Sequence, residues 1–415
     1  MTDAATTGAP IELEDARRAV LARAAPLASE NVPLREALGR RLAADLVAGF
    51  RVQGFDNSAM DGFAVRAADT AGARGDSPVG LRLAGESRAG HPAGAALGSG
   101  EAIAISTGAM LPAGADAVVR VEDTRRGDGR VLVGSEAAPG LNVRLAGEDI
   151  DVGETVLTGG TRLGPAELGA LASVGADPVG CHRRPRVAVL TSGDELVGSD
   201  RVPPPGAVRD SNSHSVPALA RLAGAEVCSV AWTPDEPEAV RAGIESALGA
   251  DVAIICGGVS VGEHDHVKGA LAELGVEQVF WRIALRPGGP TWFGTRGDTL
   301  VFGLPGNPVS VMVTFLLLAR PALVALAGGG PERLRTVATL AADHEKRPGR
   351  VEALRCRLEL VEDGWRAVPA RHQGSHILTS MLGADCLAMI PAASTVVRAG
   401  ERVEIELLDR ASMGI

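Results

Sequence analysis

The chain has 415 residues, a net charge of −10 and a pI near 5.4. That length accommodates two to four domains with sizeable cores. The acidic balance excludes bulk attraction to nucleic acid or to an anionic lipid surface, so an anionic substrate must be held by local groups. Five scattered cysteines, with no CxxC pair, argue for a reducing compartment and against a disulfide framework or a Cys-ligated zinc site. The N-terminus has no apolar core after a basic patch, and the longest apolar run, Val309 to Leu318, is too short to span a bilayer and is broken by Ser310 and Thr314. A cytoplasmic protein with no membrane partner is the expectation.

Taken in order, residues 11–45 predict two helices. Leu13, Ala16, Val20 and Leu21 form the first apolar stripe, and Pro33 opens the second, faced by Leu34, Leu38 and Leu42. From about Asp45 to Asn142, short alternating runs such as Ala117 to Val121 and Arg130 to Val133, separated by Gly, Pro and Asp, predict a β-rich module. Strand signals resume at Leu145 and lead to a helix from Pro165 to Val174. From Arg186 strands and helices alternate. The strand Arg186 to Ser192, a helix from Val216 to Leu222, the strand Glu226 to Ala231 and a helix from Glu238 to Leu248 come first. Then follow the strand Val252 to Cys256, a helix from Val267 to Leu274, the strand Gln278 to Ile283, the strand that opens LVFGLPGNP, and a helix from Val309 to Ala319. This alternation predicts a parallel sheet covered by helices on both faces, with ligands at the carboxyl ends of its strands. GGGP at 328–331 reads as a linker, and Thr336 onward as a small β-barrel.

The densest chemistry lies in DVAIICGGVSVGEHDHVK, Asp251 to Lys268. A buried-type strand runs into Gly257, Gly258 and Gly262 and then into a helix, which makes an anion cradle from free amides and a helix N-terminus. The cradle also holds Glu263, Asp265 and Lys268, one of only two lysines in the chain, which points to phosphate together with a divalent cation. TSGDEL (Thr191 to Leu196) and LPGNPVS (Leu304 to Ser310) also follow strands, so a parallel sheet brings all three turns to one edge. Asp194 and Glu195 either meet a hard cation such as Mg²⁺ or cap a following helix. Arg286, in LRPGGP, either grips phosphate through its planar fork or is a surface arginine. His264 and His266 flank Asp265 without a ligand partner at metal-site spacing and read as solvated loop residues. In the β-rich module, polar clusters sit in FDNSAMDGF (Phe55 to Phe63), in ISTGAMLPAGADAVVRVED (Ile105 to Asp123) and in VRLAGEDI, with Arg144, Glu148 and Asp149. They are candidates for the opposite wall of a cleft, from the same chain or from a second copy.

Together, FDNSAMDGFA, ISTGAMLPAGADAVVRVED, LTSGDEL, RDSNS, GGVSVGEHDHVK and FGLPGNPVS resemble the molybdopterin molybdenumtransferase family, the molybdenum insertases that include the E domain of gephyrin. The likeness runs nearly end to end. It implies insertion of molybdenum from molybdate into adenylylated molybdopterin with release of AMP, the last step of molybdenum cofactor biosynthesis, assisted by Mg²⁺. It implies an elongated homodimer, with possible contacts to other cofactor-biosynthesis proteins or acceptor apo-enzymes. The implied fold is a three-layer α/β molybdopterin-binding domain (181–327), a β-rich inserted domain (46–142), a discontinuous helical and β linker or dimerisation domain (1–45 and 143–180) and a C-terminal β-barrel (328–415).

The resemblance assigns catalysis to Asp61, Thr107, Glu195 and Asp265, and metal binding to Asp149, Glu195 and Asp265. Substrate contacts fall to Ser192, Gly193, Asp235, Gly257, Gly258, Ser260, Gly262, Lys268, Arg286, Pro305, Gly306, Asn307 and Ser375. One departure stands out. The family usually reads KPGKP where this chain has RPGGP, so Arg286 keeps a charge and Gly289 does not. Arg282, Arg296 and Arg350 are candidates to replace the missing charge. Two other readings fit parts of the pattern: an adenylyltransferase of the same superfamily, acting one step earlier, and a weakly catalytic paralogue with a binding or scaffold role.

Overall fold

The computed structural model describes residues 9–259, 266–330 and 334–408. Its centre is a six-stranded sheet with the spatial order Glu226–Thr233, Arg186–Ser192, Val252–Cys256, Thr299–Leu304, Trp292–Arg296, Glu277–Trp281. The first four strands are mutually parallel. The three inner ones, Arg186–Ser192, Val252–Cys256 and Thr299–Leu304, are largely apolar because both faces are covered, whereas the edge strand Glu226–Thr233 is mostly exposed. Val187, Val189, Val252 and Ile254 point to one face, against Val216 and Ala220 of the helix Asn212–Leu222 and the long helix Pro308–Leu326. Ala188, Leu190, Ala253 and Ile255 point to the other, against Val240 and Ile244 of the helix Pro237–Ala247 and Val267 and Leu271 of the helix Val267–Glu273. The period of two in the strand thus sorts each side chain into one of two cores.

Three expectations need correction. The sheet is not wholly parallel: Trp292–Arg296 runs antiparallel to both neighbours. It turns back into Thr299–Leu304 through Gly297 and Asp298, where Gly297 has φ +56, a two-residue hairpin that leaves no room for a crossover helix. The strand before it stops at Trp281 rather than Ile283, because Arg282 takes φ +70. The second N-terminal helix is only a 3-10 turn, Leu34–Glu36. Gly39, at φ +75, redirects the chain, and pairing of Leu42 with Cys181 then fixes it in an extended path. The first helix, Leu13–Leu21, does form, with Leu13, Ala16 and Val20 buried.

The segments flanking the β-rich module share one core. Ser29–Val32 pairs antiparallel with Val179–His182, and Val32, Leu42, Leu163, Leu171 and Cys181 pack together. The module itself is a six-stranded mixed sheet with Gly62–Val65 between Ala117–Arg120 and Glu101–Ile105. At the C-terminal end, Arg335–Leu340, Val351–Val361, Gly364–Pro369, Cys386–Ile390 and Arg402–Leu407 close into a five-stranded barrel. It is fastened to the α/β unit through Glu406, 4% exposed. That carboxylate accepts from Arg320 at 3.1 Å, Arg17 at 3.0 Å and Arg335 at 3.0 Å.

The helix Pro308–Leu326 continues past the apolar run read from sequence. At 19 residues it is long and apolar enough to cross a membrane by length and composition, but 83% of its most apolar stretch is buried inside the protein. It is a core helix: Phe315, Leu317, Leu318 and Leu323 lie in the main cluster.

Candidate active site

Register brings the three turns together. Thr191 pairs with Cys256, and Cys256 with Leu304, so their strands end side by side. The Gly257 amide donates to the Leu304 carbonyl at 3.0 Å. Gly257 has φ +101, and a Cβ there would lie 2.6 Å from the Ser192 carbonyl oxygen. Gly258 has φ +63, and a Cβ there would lie 2.4 Å from Val267 Cγ2. Both positions therefore require glycine, which lets the middle turn pass close beneath the first.

The TSGDEL turn is held from its flank. Ser192 Oγ donates to Asp235 Oδ1 at 2.6 Å, and the Asp235 amide donates to Asp194 Oδ1 at 3.0 Å. Trp232 Nε1 donates to the Gly193 carbonyl at 3.0 Å. No helix follows Asp194 and Glu195. The chain enters the short strand Leu196–Val197 instead, so the helix-cap alternative does not hold. Both side chains are exposed. The cap is supplied by Asp210, which accepts the Ser213 amide at 3.0 Å and also the Thr191 hydroxyl at 2.7 Å.

The LPGNP turn is held from two sides. Asn212 Nδ2 donates to the Gly306 carbonyl at 2.8 Å. Asn307 Nδ2 donates to Ser375 Oγ at 3.1 Å, and the Val309 amide to the Ser375 carbonyl at 3.2 Å. The barrel thus reaches the α/β edge. Its loop is ordered by buried Arg355, whose Nε donates to Ser380 Oγ at 3.2 Å and whose backbone exchanges two 3.0 Å bonds with the Gln373 amide. Desolvation lowers the Arg355 guanidinium to about 10.

Other expected contacts are already engaged. Lys268 Nζ lies 4.0 Å from the centroid of the Trp281 ring, and the Arg282 guanidinium 4.3 Å from it. Trp281 Nε1 in turn donates to the Val259 carbonyl at 3.0 Å. Arg286 pairs with Glu352 at 3.0 Å, although its side chain is 67% exposed. The Arg350 guanidinium lies 3.6 Å from where a Cβ on Gly289 would stand. Cys256, directly beneath the edge, is fully buried, and burial followed by the charge of Asp210 pushes its thiol up, so it stays protonated and inert. Ser260, Gly262, Glu263, His264 and Asp265 lie outside the described residues; His266 immediately precedes the helix Val267–Glu273.

On the β-rich module, Asp61 and Thr107 meet although 46 residues separate them. The Thr107 amide donates to Asp61 Oδ1 at 2.8 Å and its hydroxyl to the same oxygen at 3.2 Å. Asp149 lines a separate cavity of about 370 Å³ with Asn57, Arg144 and Glu148. Among the described residues, no hydrogen bond or ion pair joins Asp61, Thr107 or Asp149 to the α/β edge. Nor does any cluster of three His, Cys, Asp or Glu side chains among the described residues suit a metal ion. The residues the motif reading missed are the bracing ones: Asp210 and Asn212, Trp281, Arg355 and Gln373. RDSNS was a signal for the first two. Their partners Thr191 and Gly306 are set by tertiary contacts.

A mixed α/β sheet with three gathered turns, flanked by a β-rich module and a closed barrel, defines a multidomain class. Three family profiles match it in order: "MoeA N-terminal region (domain I and II)" over residues 11–175, "Probable molybdopterin binding domain" over 188–325, and "MoeA C-terminal region (domain IV)" over 337–408. A molybdopterin molybdenumtransferase of Haemophilus influenzae is 37% identical across 92% of this chain and 94% of its own, and one of Nostoc 35% identical across 90% and 88%. Two structures of the molybdopterin biosynthesis MoeA protein of Pyrococcus horikoshii superpose with TM-scores of 0.84 and 0.82. They are 36% and 31% identical, and cover 97% and 96% of this chain and all of theirs. The chain belongs to the molybdopterin molybdenumtransferase family.

Proposed function

We propose that this protein inserts molybdenum from molybdate into adenylylated molybdopterin and releases AMP. The observation that carries the reading is the gathering of the Ser192, Gly257 and Gly306 turns at one sheet edge, braced by Asp235, Asn212 and Ser375. Backbone amides in these turns hold phosphate oxygens. Ser192, Gly193, Asp235, Gly257, Gly258, Pro305, Gly306, Asn307 and Ser375 form the substrate wall, with Lys268 at its margin; Ser260 and Gly262 are assigned to the substrate by the family resemblance and lie outside the described residues. Arg286 is tied to Glu352, so it orients the RPGGP loop and leaves the anion contact to Arg350.

The donor set suits Mg²⁺ held mainly by substrate oxygens, since that ion is commonly bound through one or two carboxylates plus phosphate. Glu195, exposed at the TSGDEL turn, and Asp265 are the carboxylates assigned to it here. The ion would polarise the phosphoanhydride. Asp61, Thr107 and Asp149 form the facing wall. Among the described residues no bond joins them to the α/β edge of their own chain, and the family resemblance assigns them to the cleft of a second subunit in a homodimer. The protein acts in the cytoplasm, with the four-part division set out above.

The test is AMP release by the purified protein from adenylylated molybdopterin. Release that requires both molybdate and Mg²⁺ supports the insertase. Tight binding without turnover supports the scaffold reading, and transfer of AMP from ATP onto molybdopterin supports the adenylyltransferase. Asp265→Ala should abolish metal-dependent release while leaving thermal stability unchanged; undiminished release would remove Asp265 from the site.

A further inference from the structure

The strands Arg186–Ser192 and Thr299–Leu304 are not neighbours; Val252–Cys256 lies between them. Their ends are therefore separated by two inter-strand spacings, roughly 9–10 Å. One short segment spans that gap. Asp210, 7% exposed, holds the Thr191 hydroxyl at 2.7 Å, and Asn212, 6% exposed, holds the Gly306 carbonyl at 2.8 Å. The bond to a carbonyl fixes which end of the Asn212 amide faces Gly306. Its Oδ1 is left buried, accepting no bond from any described group, and so is Ser215 Oγ, three residues on along the same helix face. A leucine of similar size would carry no such buried acceptor. The polar group is retained at a desolvation cost, and the bond to Gly306 is the contact that offsets it.

We propose that Asn212 is a positioning residue for the nucleotide pocket. Its amide sets the height of the Pro305–Gly306–Asn307 turn relative to the Ser192 turn, which Asp210 fixes from the same segment. This inference rests on the nucleotide reading above and adds to it the group that keeps the first and third turns in register.

The experiment measures AMP binding with Mg²⁺ by calorimetry on the full chain, at about pH 8 and about pH 5, for the wild type, Asn212→Ala and Asn212→Asp. Asn212→Ala should weaken binding about tenfold or more at both pH values. Asn212→Asp should be as weak at pH 8, where a carboxylate has no proton for the Gly306 carbonyl. It should recover toward the wild type at pH 5, where burial keeps the introduced carboxyl protonated and able to donate. The alanine variant shares every other titratable group, including Asp194, Asp210 and Asp235, so the recovery is read as a difference between the two variants. If Asn212→Ala does not fold, the two-pH comparison on Asn212→Asp against the wild type still carries the test. Wild-type affinity in both variants, or no greater recovery for Asn212→Asp than for Asn212→Ala, overturns the proposal. Failure of the wild type itself to bind AMP overturns the nucleotide reading and this inference with it.

Discussion

Ser192 donates its hydroxyl to Asp235 at 2.6 Å, which ties the first turn of the site to the loop after the neighbouring strand Glu226–Thr233. A hydrogen bond to a charged group contributes about 1.5–3 kcal/mol. Asp235→Ala should therefore weaken AMP binding by roughly 10- to 100-fold. Calorimetry checks the affinity, and a cooperative melt with a midpoint lowered by only a few degrees shows that the protein still folds.

The barrel reaches the site at Ser375, whose hydroxyl accepts from Asn307 and whose carbonyl accepts from the Val309 amide. Ser375→Ala removes the acceptor for Asn307 Nδ2. A neutral bond of this kind contributes about 0.5–1.5 kcal/mol, so AMP release should slow by a few-fold up to about tenfold, with the fold intact. Steady-state kinetics with circular dichroism measures both.

A cation already stands beside Gly289. With Arg350 Nη1 3.6 Å from the Cβ position, a lysine at 289 would crowd a cation that is in place. Gly289→Lys should leave the affinity for an anionic substrate unchanged or lower it, whereas Arg350→Ala should reduce it. A titration with molybdate compares the two; tighter binding by Gly289→Lys would show the gap to be uncompensated.

Most of the α/β unit was legible because its strands and helices differ in apolar period, and the period follows from burial on two faces. The antiparallel strand Trp292–Arg296 was not legible, since its direction is set by the Gly297–Asp298 hairpin rather than by its own composition. Within the site, the turns announced themselves through Gly and hydroxyl residues directly after apolar runs. Of their braces, Asp235 and Ser375 are named through the family resemblance, and the others are not. Asp210, Asn212 and Arg355 act through partners 19, 94 and 25 residues away, a distance no local pattern reports. Arg286 stays open in the sequence between a phosphate fork and a surface arginine, because its partner Glu352 lies 66 residues downstream, in the barrel.

The junction between barrel and α/β unit depends on Glu406. Removing a buried carboxylate that serves three arginines leaves their charges without it, at a cost of about 3–5 kcal/mol. Glu406→Ala should bring forward the melting of the C-terminal barrel, read as a lower first transition in scanning calorimetry. Asp235→Ala should not share this effect.

Acid sensitivity should arise at the opposite end of the sheet. Burial pushes the Asp251 carboxyl up, but two bonds from Arg183, at 2.6 and 2.7 Å, and one from the Arg186 amide outweigh it and hold the group below its ordinary value of 3.8. A folded-state value below the unfolded one stabilises above the ordinary carboxylate range, and that stability is lost as pH falls through the folded value. Asp251→Asn should thus be less stable than the wild type near neutrality, and the gap should close below about pH 4. Denaturant titrations across pH test the sign; a gap that widens in acid would contradict it.

The most direct measurement is a crystal structure of the protein soaked with AMP and Mg²⁺. The account predicts the phosphate at the sheet edge, within hydrogen-bond reach of the Ser192, Gly257 and Gly306 turns, with the ion between phosphate oxygens and the Glu195 or Asp265 carboxylate. AMP bound on another face, with those three turns empty, would contradict it.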